Sequence, residues 1–177
     1  MSNAQYLASL VNSSGNIVLP VANAGIVFNN TNTTASPTST TQNDYETGTW
    51  TPVLSFGGSS TGITYTGQYG SYTKIGNLVT VRCYIYVSSK GTATGASAIT
   101  TLPFAPTNLG QLYSSVSFYV SNLITIGSGN QIELNINNTS VNINYVVASS
   151  GADAAYNNTS FNSSGSIWFT ATYQATF

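Results

Sequence analysis

The feature that most constrains this chain is a period of two in its apolar residues. In Val79-Thr80-Val81-Arg82-Cys83-Tyr84-Ile85-Tyr86-Val87, the residues Val79, Val81, Cys83, Ile85 and Val87 fall on one face. Thr80, Arg82, Tyr84 and Tyr86 fall on the other. A strand sends successive side chains to opposite sides, so the run is a strand with one buried face. The alternation returns in Gln131–Ile136, in Val141–Val147, and in the inward set Val116, Phe118 and Val120. It is clearest near the end, where Ile167, Phe169, Ala171, Tyr173, Ala175 and Phe177 alternate with Ser166, Trp168, Thr170, Thr172, Gln174 and Thr176. Asn137-Asn138-Thr139-Ser140 has turn chemistry, so the runs on either side of it are expected to pair as a hairpin. No window shows apolar residues at three-and-four spacing, and helix formers such as Glu and Lys are scarce. Short strands parted by Gly, Ser and Asn predict an all-β fold, an antiparallel, jelly-roll-like β-sandwich over residues 44–177.

Residues 1–43 read differently, as an extended N-terminal arm and polar linker. Short apolar bursts carry Leu7, Val11, Ile17, Leu19, Ile26 and Phe28, and the stretch 29–43 is polar and β-branched without periodicity. Such a segment cannot bury a face of its own. It is expected either to lie on a neighbour, with those six residues as its anchors, or to be a partly disordered terminus.

Charge then removes whole classes of function. Only 4% of the 177 residues are charged, 3 basic and 4 acidic, against about 25% in ordinary soluble domains. Nucleic-acid binding needs clustered Lys and Arg to displace phosphate counterions, and a polybasic membrane contact needs the same. No stretch has the length of apolar residues that a spanning helix requires, so no membrane insertion is expected. The start lacks the basic and apolar regions of a signal peptide, and the single cysteine excludes an intrachain disulfide; both point to synthesis in a reducing cytoplasm. Few Lys or Pro guard the strand edges, so burial of edges in a homo-oligomer is expected.

The search for chemistry yields little. There is no His, which removes the commonest general base and metal ligand. Cys83 lies on the inward face between Val81 and Ile85 and reads as a buried structural thiol. Phe56-Gly57-Gly58-Ser59-Ser60-Thr61-Gly62 lacks the Lys of a phosphate loop and reads as a hairpin loop. Glu133 points outward on a strand, Asp153 falls in a loop, and Asp44 and Glu46 lie at a segment boundary. These acids are expected to pair or hydrogen-bond with Lys74, Arg82 or Lys90, with no catalytic residue, cofactor or metal. Tyrosine is abundant, at 12 residues, and flat rings give contact area at low entropic cost. Tyr84 and Tyr86 oppose the core set, where they belong to a second buried face, to a subunit contact or to a sugar-stacking surface.

Two stretches carry a resemblance. Asp44-Tyr45-Glu46-Thr47-Gly48-Thr49-Trp50-Thr51-Pro52-Val53, with Tyr65-Thr66-Gly67-Gln68-Tyr69-Gly70-Ser71-Tyr72-Thr73-Lys74-Ile75-Gly76-Asn77 and the later Leu102-Pro103-Phe104, resembles a β-sandwich family of phage virion surfaces. Its members occur in tail fibres, tail-associated receptor-binding proteins and capsid decoration (cement) proteins. The resemblance covers residues 44 to about 105 and implies a sandwich, commonly trimeric, without cofactor or catalysis. In physical terms, Gly48 and Gly70 suit sharp backbone geometry, Pro52 suits a strand start or edge, and Gly76-Asn77 suits a tight turn between two paired strands.

The family implies two placements. As a capsid decoration protein, the chain forms homotrimers on the capsid exterior and clamps the major capsid protein through residues 1–43. As a tail-fibre or tail-tip protein, it contacts other tail proteins and recognises host surface glycan. A fibre usually carries an attachment domain and a repetitive shaft, and their absence from these residues makes capsid decoration the leading expectation.

Overall fold

A computed structural model describes residues 13–14, 26–27, 41–42, 45–107, 114–137, 140–147 and 152–176. The chain divides into two units, residues 1–45 and 46–177. Within the first, β1 (Ile26–Val27) pairs antiparallel with β2 (Thr41–Gln42). Ile26 therefore sits in a strand, while the other expected anchors, Leu7, Val11, Ile17, Leu19 and Phe28, lie outside the described residues.

The larger unit begins from local pairings that its turns dictate. Gly76, at φ +59°, takes the left-handed conformation that a two-residue hairpin turn demands of its first central residue. That turn sets Ile75 opposite Leu78 and joins β5 (Ile63–Ile75) to β6 (Leu78–Lys90). β9 (Asn130–Asn137) pairs along its whole length with β10 (Ser140–Val147). The remaining strands are β3 (Tyr45–Trp50), β4 (Val53–Phe56), β7 (Ser97–Thr100), β8 (Ser114–Ser121), β11 (Ala152–Ala155) and β12 (Gly165–Gln174). They join one curled antiparallel sheet in the order β3-β5-β6-β12-β8-β9-β10-β7-β4, with β11 added to β10. β8 makes the corner. It pairs with β12 from Val116 to Ser121, but with β9 only through Ser114 and Ser115. The chain is thus all-β and sandwich-like, and its only helical element among the described residues is one 3₁₀ turn, Asn158–Ser160.

The alternation defines the core. Val79, Val81, Cys83, Ile85 and Val87 of β6 are buried, and so are Ile167, Phe169, Ala171 and Tyr173 of β12. They meet Leu54, Phe56, Ile99, Leu134, Ile136, Val141 and Ile143 from the facing strands. Phe118 shares a face with its cross-strand partner Phe169 yet stays about a third exposed, because it lies where the sheet turns the corner and no strand continues beside it.

Three expectations are corrected. The segment Phe56–Gly62 closes a tight turn, with mutual Phe56–Ser59 backbone bonds, but it does not form a hairpin. β4 pairs with β7 and β5 with β3 and β6, so the segment crosses between opposite ends of the strand order. Asp153 sits in β11, paired with Val146, and not in a loop. Gly48 and Gly70 are not among the glycines with positive φ, so their role is steric. A Cβ on Gly70 would lie 2.4–2.6 Å from the Trp50 indole, and one on Gly48 would lie 2.6–2.8 Å from the Tyr72 ring. Each of the two strands leaves a gap that the other strand's aromatic ring fills, a reciprocal lock between β3 and β5. Pro52 precedes β4, an end strand, as expected, and its carbonyl accepts the Gln68 amide at 2.7 Å.

Among the described residues, Lys90, Glu46 and Glu133 each bond to neutral groups. Lys90 Nζ donates to the carbonyls of Asn158 (2.9 Å) and Phe161 (2.6 Å), which ties the end of β6 to the 3₁₀ turn. Lys74 is buried with its ammonium 5.4 Å from the centre of the Phe104 ring. The Glu46 carboxylate accepts the Tyr72 hydroxyl, and that of Glu133 accepts the Asn135 amide. The basic partners expected for these acids are thus replaced by a phenol and an amide.

Burial also sets an alkaline limit. It pushes the Tyr173 hydroxyl, which donates to the Phe104 carbonyl at 3.0 Å, up to about 12. It raises Tyr65, and it drives the Cys83 thiol well above the usual thiol range. All three are neutral when folded, whereas an unfolded tyrosine ionises near about 10. The stability that the two tyrosines confer is full below that pH and is lost as pH rises from about 10 toward 12, while the share of Cys83 begins to fall earlier, at about 8.5, where an unfolded thiol ionises. Urea midpoints measured at pH 8 and pH 11 are expected to fall at the higher pH; an unchanged midpoint would contradict the burial of these groups.

Candidate functional site

The outward face of β5, β6, β12 and β8 carries the residues that the core does not use. Register places Tyr69 opposite Tyr84, Tyr84 opposite Trp168, and Trp168 opposite Tyr119. Four rings therefore lie side by side across four strands. Tyr69 and Tyr84 stack with planes 3° apart and centres 6.0 Å apart. Tyr84 and Trp168 are 4.9 Å apart, and Trp168 and Tyr119 are 5.4 Å apart. Tyr69 is 67% exposed, Tyr119 63% and Trp168 39%. Rings in this arrangement favour one another over water; Tyr84 is half-buried between its neighbours, while Tyr69, Trp168 and Tyr119 stay exposed.

Backbone detail holds the row in place. Gly67 lies on the same outward face, and a Cβ there would meet the Tyr84 ring at 2.6 Å. The missing side chain lets Tyr84 lean onto β5 while it contacts Trp168. Gly67→Ala is expected to displace that ring at a cost of about 1 kcal/mol, the low end for overpacking, because a half-buried ring on the outer face can yield. A changed near-UV circular dichroism spectrum with a urea midpoint lowered by about 0.3–1 M would register it; an unaltered spectrum would show that the ring does not rest on Gly67.

Two shallow depressions flank the row. One, of about 660 Å³, has Gln68, Tyr69, Ser71, Arg82, Tyr84 and Trp168 on its walls. The other, of about 430 Å³, includes Arg82, Ser117, Tyr119, Trp168 and Thr170. Arg82 is exposed between Ser71 and Thr170, its cross-strand neighbours. Among the described residues its guanidinium has no hydrogen-bond partner. By strand alternation, the rest of this face on these four strands is Ser, Thr, Gly, Gln and Tyr, with Ile75 and Leu78 at one end, Lys90 toward the other, and no carboxylate.

Of the two tyrosines expected on this face, Tyr84 is the second ring of the row. Tyr86 shares the face and is 39% exposed, but it makes none of these ring contacts. Trp168 was read as outward on its own strand, but neither it nor Tyr69 nor Tyr119 was expected to join Tyr84. Tyr69 was within reach, since the Gly76-Asn77 turn counts back to pair it with Tyr84. Trp168 and Tyr119 come from distant strands whose neighbours no local signal names. Cys83 is buried beneath this sheet and structural. Among the described residues no group of three or more His, Cys, Asp or Glu could hold a metal, and no helix is long and apolar enough to cross a membrane.

The strand order and this exposed row define an all-β sandwich with one aromatic outer face. No family model and no curated protein sequence matches the chain. Among solved structures it is similar to the Dettilon tailspike protein (gp208), with a TM-score of 0.56 and 22% identity over 75% of this chain. The matched part is 24% of the tailspike chain, so this chain corresponds to about a quarter of it. At that identity the likeness is one of fold.

Proposed function

We propose that the protein is a non-enzymatic surface component of a bacteriophage particle, carried on the tail as a homo-oligomer, where it contacts the host envelope. The observation that carries this reading is the aromatic row in which Tyr69, Trp168 and Tyr119 are exposed around the half-buried Tyr84, on a face of four strands with no carboxylate among the described residues. Cross-strand contacts account for part of each ring, but the area that Tyr69, Trp168 and Tyr119 leave in water is of use only to a binding surface. The fold shared with a tailspike and the near absence of charge support it. Hydroxyls and amides match the hydrogen-bonding groups of an envelope glycan, and a trimer would cover open strand edges.

Capsid decoration is the second reading. What favours it is the separate unit at residues 1–45, which on a head would clamp the major capsid protein. Immunogold labelling of intact particles with an antibody against residues 46–177 separates the two. Label at the tail end is expected. Label spread over the head would replace the tail placement with decoration, and unlabelled particles would overturn both.

A further inference from the structure

The aromatic row has a direction, a repeat and one charge beside it. The rings follow one another across the strands in steps of 6.0, 4.9 and 5.4 Å. These steps are comparable to the repeat of a chain of six-membered sugar rings, so such a chain laid along the row would meet the exposed Tyr69, Trp168 and Tyr119 in turn. A compact ligand would use one ring or two. A linear one uses the whole row. Ser71, Thr170 and Ser117 share with Arg82 the cross-strand row next to the rings, and their hydroxyls can take the hydroxyls that such a chain presents at its edge.

Arg82 adds sign to this shape. It borders both depressions, its donors are unspent among the described residues, and no carboxylate on this face of the four strands competes for it. A guanidinium is a fixed fork that matches a carboxylate in two parallel hydrogen bonds. Its position next to Tyr84 and Trp168 would let it reach a carboxylate borne by a sugar lying on the rings.

We infer that this face binds a linear, carboxylate-bearing polysaccharide, such as one containing uronic acid, laid across β5, β6, β12 and β8 with Arg82 on the acid group. The inference rests on the host-contact reading and names its ligand class. The aromatic rings supply affinity for any chain of sugars, and Arg82 supplies the preference for an acidic one.

The full chain, fluorescently labelled, is applied to an array of bacterial surface polysaccharides, both acidic and neutral. The best acidic ligand is then titrated against tryptophan fluorescence, alongside the same polymer after chemical reduction of its carboxylates to alcohols. Carboxyl reduction is expected to weaken binding by about tenfold or more, the size of one charge-assisted hydrogen bond. Arg82→Gln is expected to bind both polymers at the weaker level. Trp168→Ala and Tyr119→Ala are expected to lose about tenfold or more on both polymers, since exposed rings at a contact centre dominate affinity. Tyr119 is the more exposed of the two, and its removal leaves the core untouched.

Equal affinity for the native and reduced polymers, or no acidic ligand on the array, would overturn the inference. A fall in oligomeric mass of Trp168→Ala by light scattering would also overturn it, because the row would then be a contact between copies. Tail labelling together with any of these results leaves the host-contact reading standing, whereas unlabelled particles remove that reading itself.

Discussion

Trp50→Ala is expected to destabilise the larger unit by about 3–5 kcal/mol, the range for emptying a large aromatic from a core. Trp50 is 8% exposed, packs 6.5 Å from Phe169 and donates its indole N–H to the Arg82 carbonyl at 3.3 Å. Removing it uncovers Gly70, which has no side chain with which to fill the space. Gly70→Ala attacks the same lock from the other side. Its new methyl group overlaps a buried indole, and overpacking of that kind costs about 1–3 kcal/mol. The informative variant is the double one. With the indole gone the methyl group has room, and alanine is a better strand residue than glycine by about 0.5–1 kcal/mol. Gly70→Ala should therefore turn from harmful to neutral or mildly stabilising in the Trp50→Ala background. Urea unfolding of the four proteins gives the coupling energy. Additive effects would show that Gly70 serves backbone geometry and that the lock is a coincidence of position.

Lys90→Met is expected to cost about 2–4 kcal/mol, with little change in the volume of the side chain's stem. The ammonium satisfies two carbonyls at once, those of Asn158 and Phe161. Its loss leaves both acceptors short of a donor in a half-buried place. The Phe161 ring meets Phe56 edge to face at 4.9 Å, and the Asn158 side chain accepts the Gly95 amide at 3.1 Å. The loosened turn thus touches both the core and the crossing between β6 and β7. Hydrogen exchange should show lost protection at residues 158–162 before global unfolding. Protection as in the parent protein, with an unchanged urea midpoint, would show that water replaces the ammonium at no cost.

What was legible in the sequence was whatever depends on near neighbours. Gly76-Asn77 predicts the β5–β6 register, and the alternation in β6 and β12 predicts which side chains are buried. Two-residue periodicity reports a face directly, so those assignments survive folding. Gly48 and Gly70 were legible as special but not for the right reason: a glycine that relaxes the backbone and one that makes room for a ring on the next strand look the same until the strands are paired. The Phe56–Gly62 segment failed likewise. Its turn chemistry is real, but a turn does not say whether the strands on either side pair with each other or with others. For the candidate site, Tyr84 could be placed outward from its own strand. Its companions Trp168 and Tyr119 arrive through pairings that span roughly half the larger unit, and no pattern within a strand encodes them.

The position of β12 bears on how the molecule is made. Gly165–Gln174 is the last described strand along the chain, yet it lies between β6 and β8 in the middle of the sheet. On a ribosome, the β5–β6 and β9–β10 hairpins can form as soon as their turns emerge. β6 and β8 have nothing to join them until residues 165–174 are free of the exit tunnel. Until that moment the nascent chain exposes the apolar face of β6 and two unpaired strand edges, and its encounters with sister chains on the same messenger are most hazardous then. The insertion of one late strand completes the core, seals those edges and brings Trp168 between Tyr84 and Tyr119 in a single step. A chain cut short before Gly165 is therefore expected to go to the proteases as a whole and not to persist as a smaller sandwich.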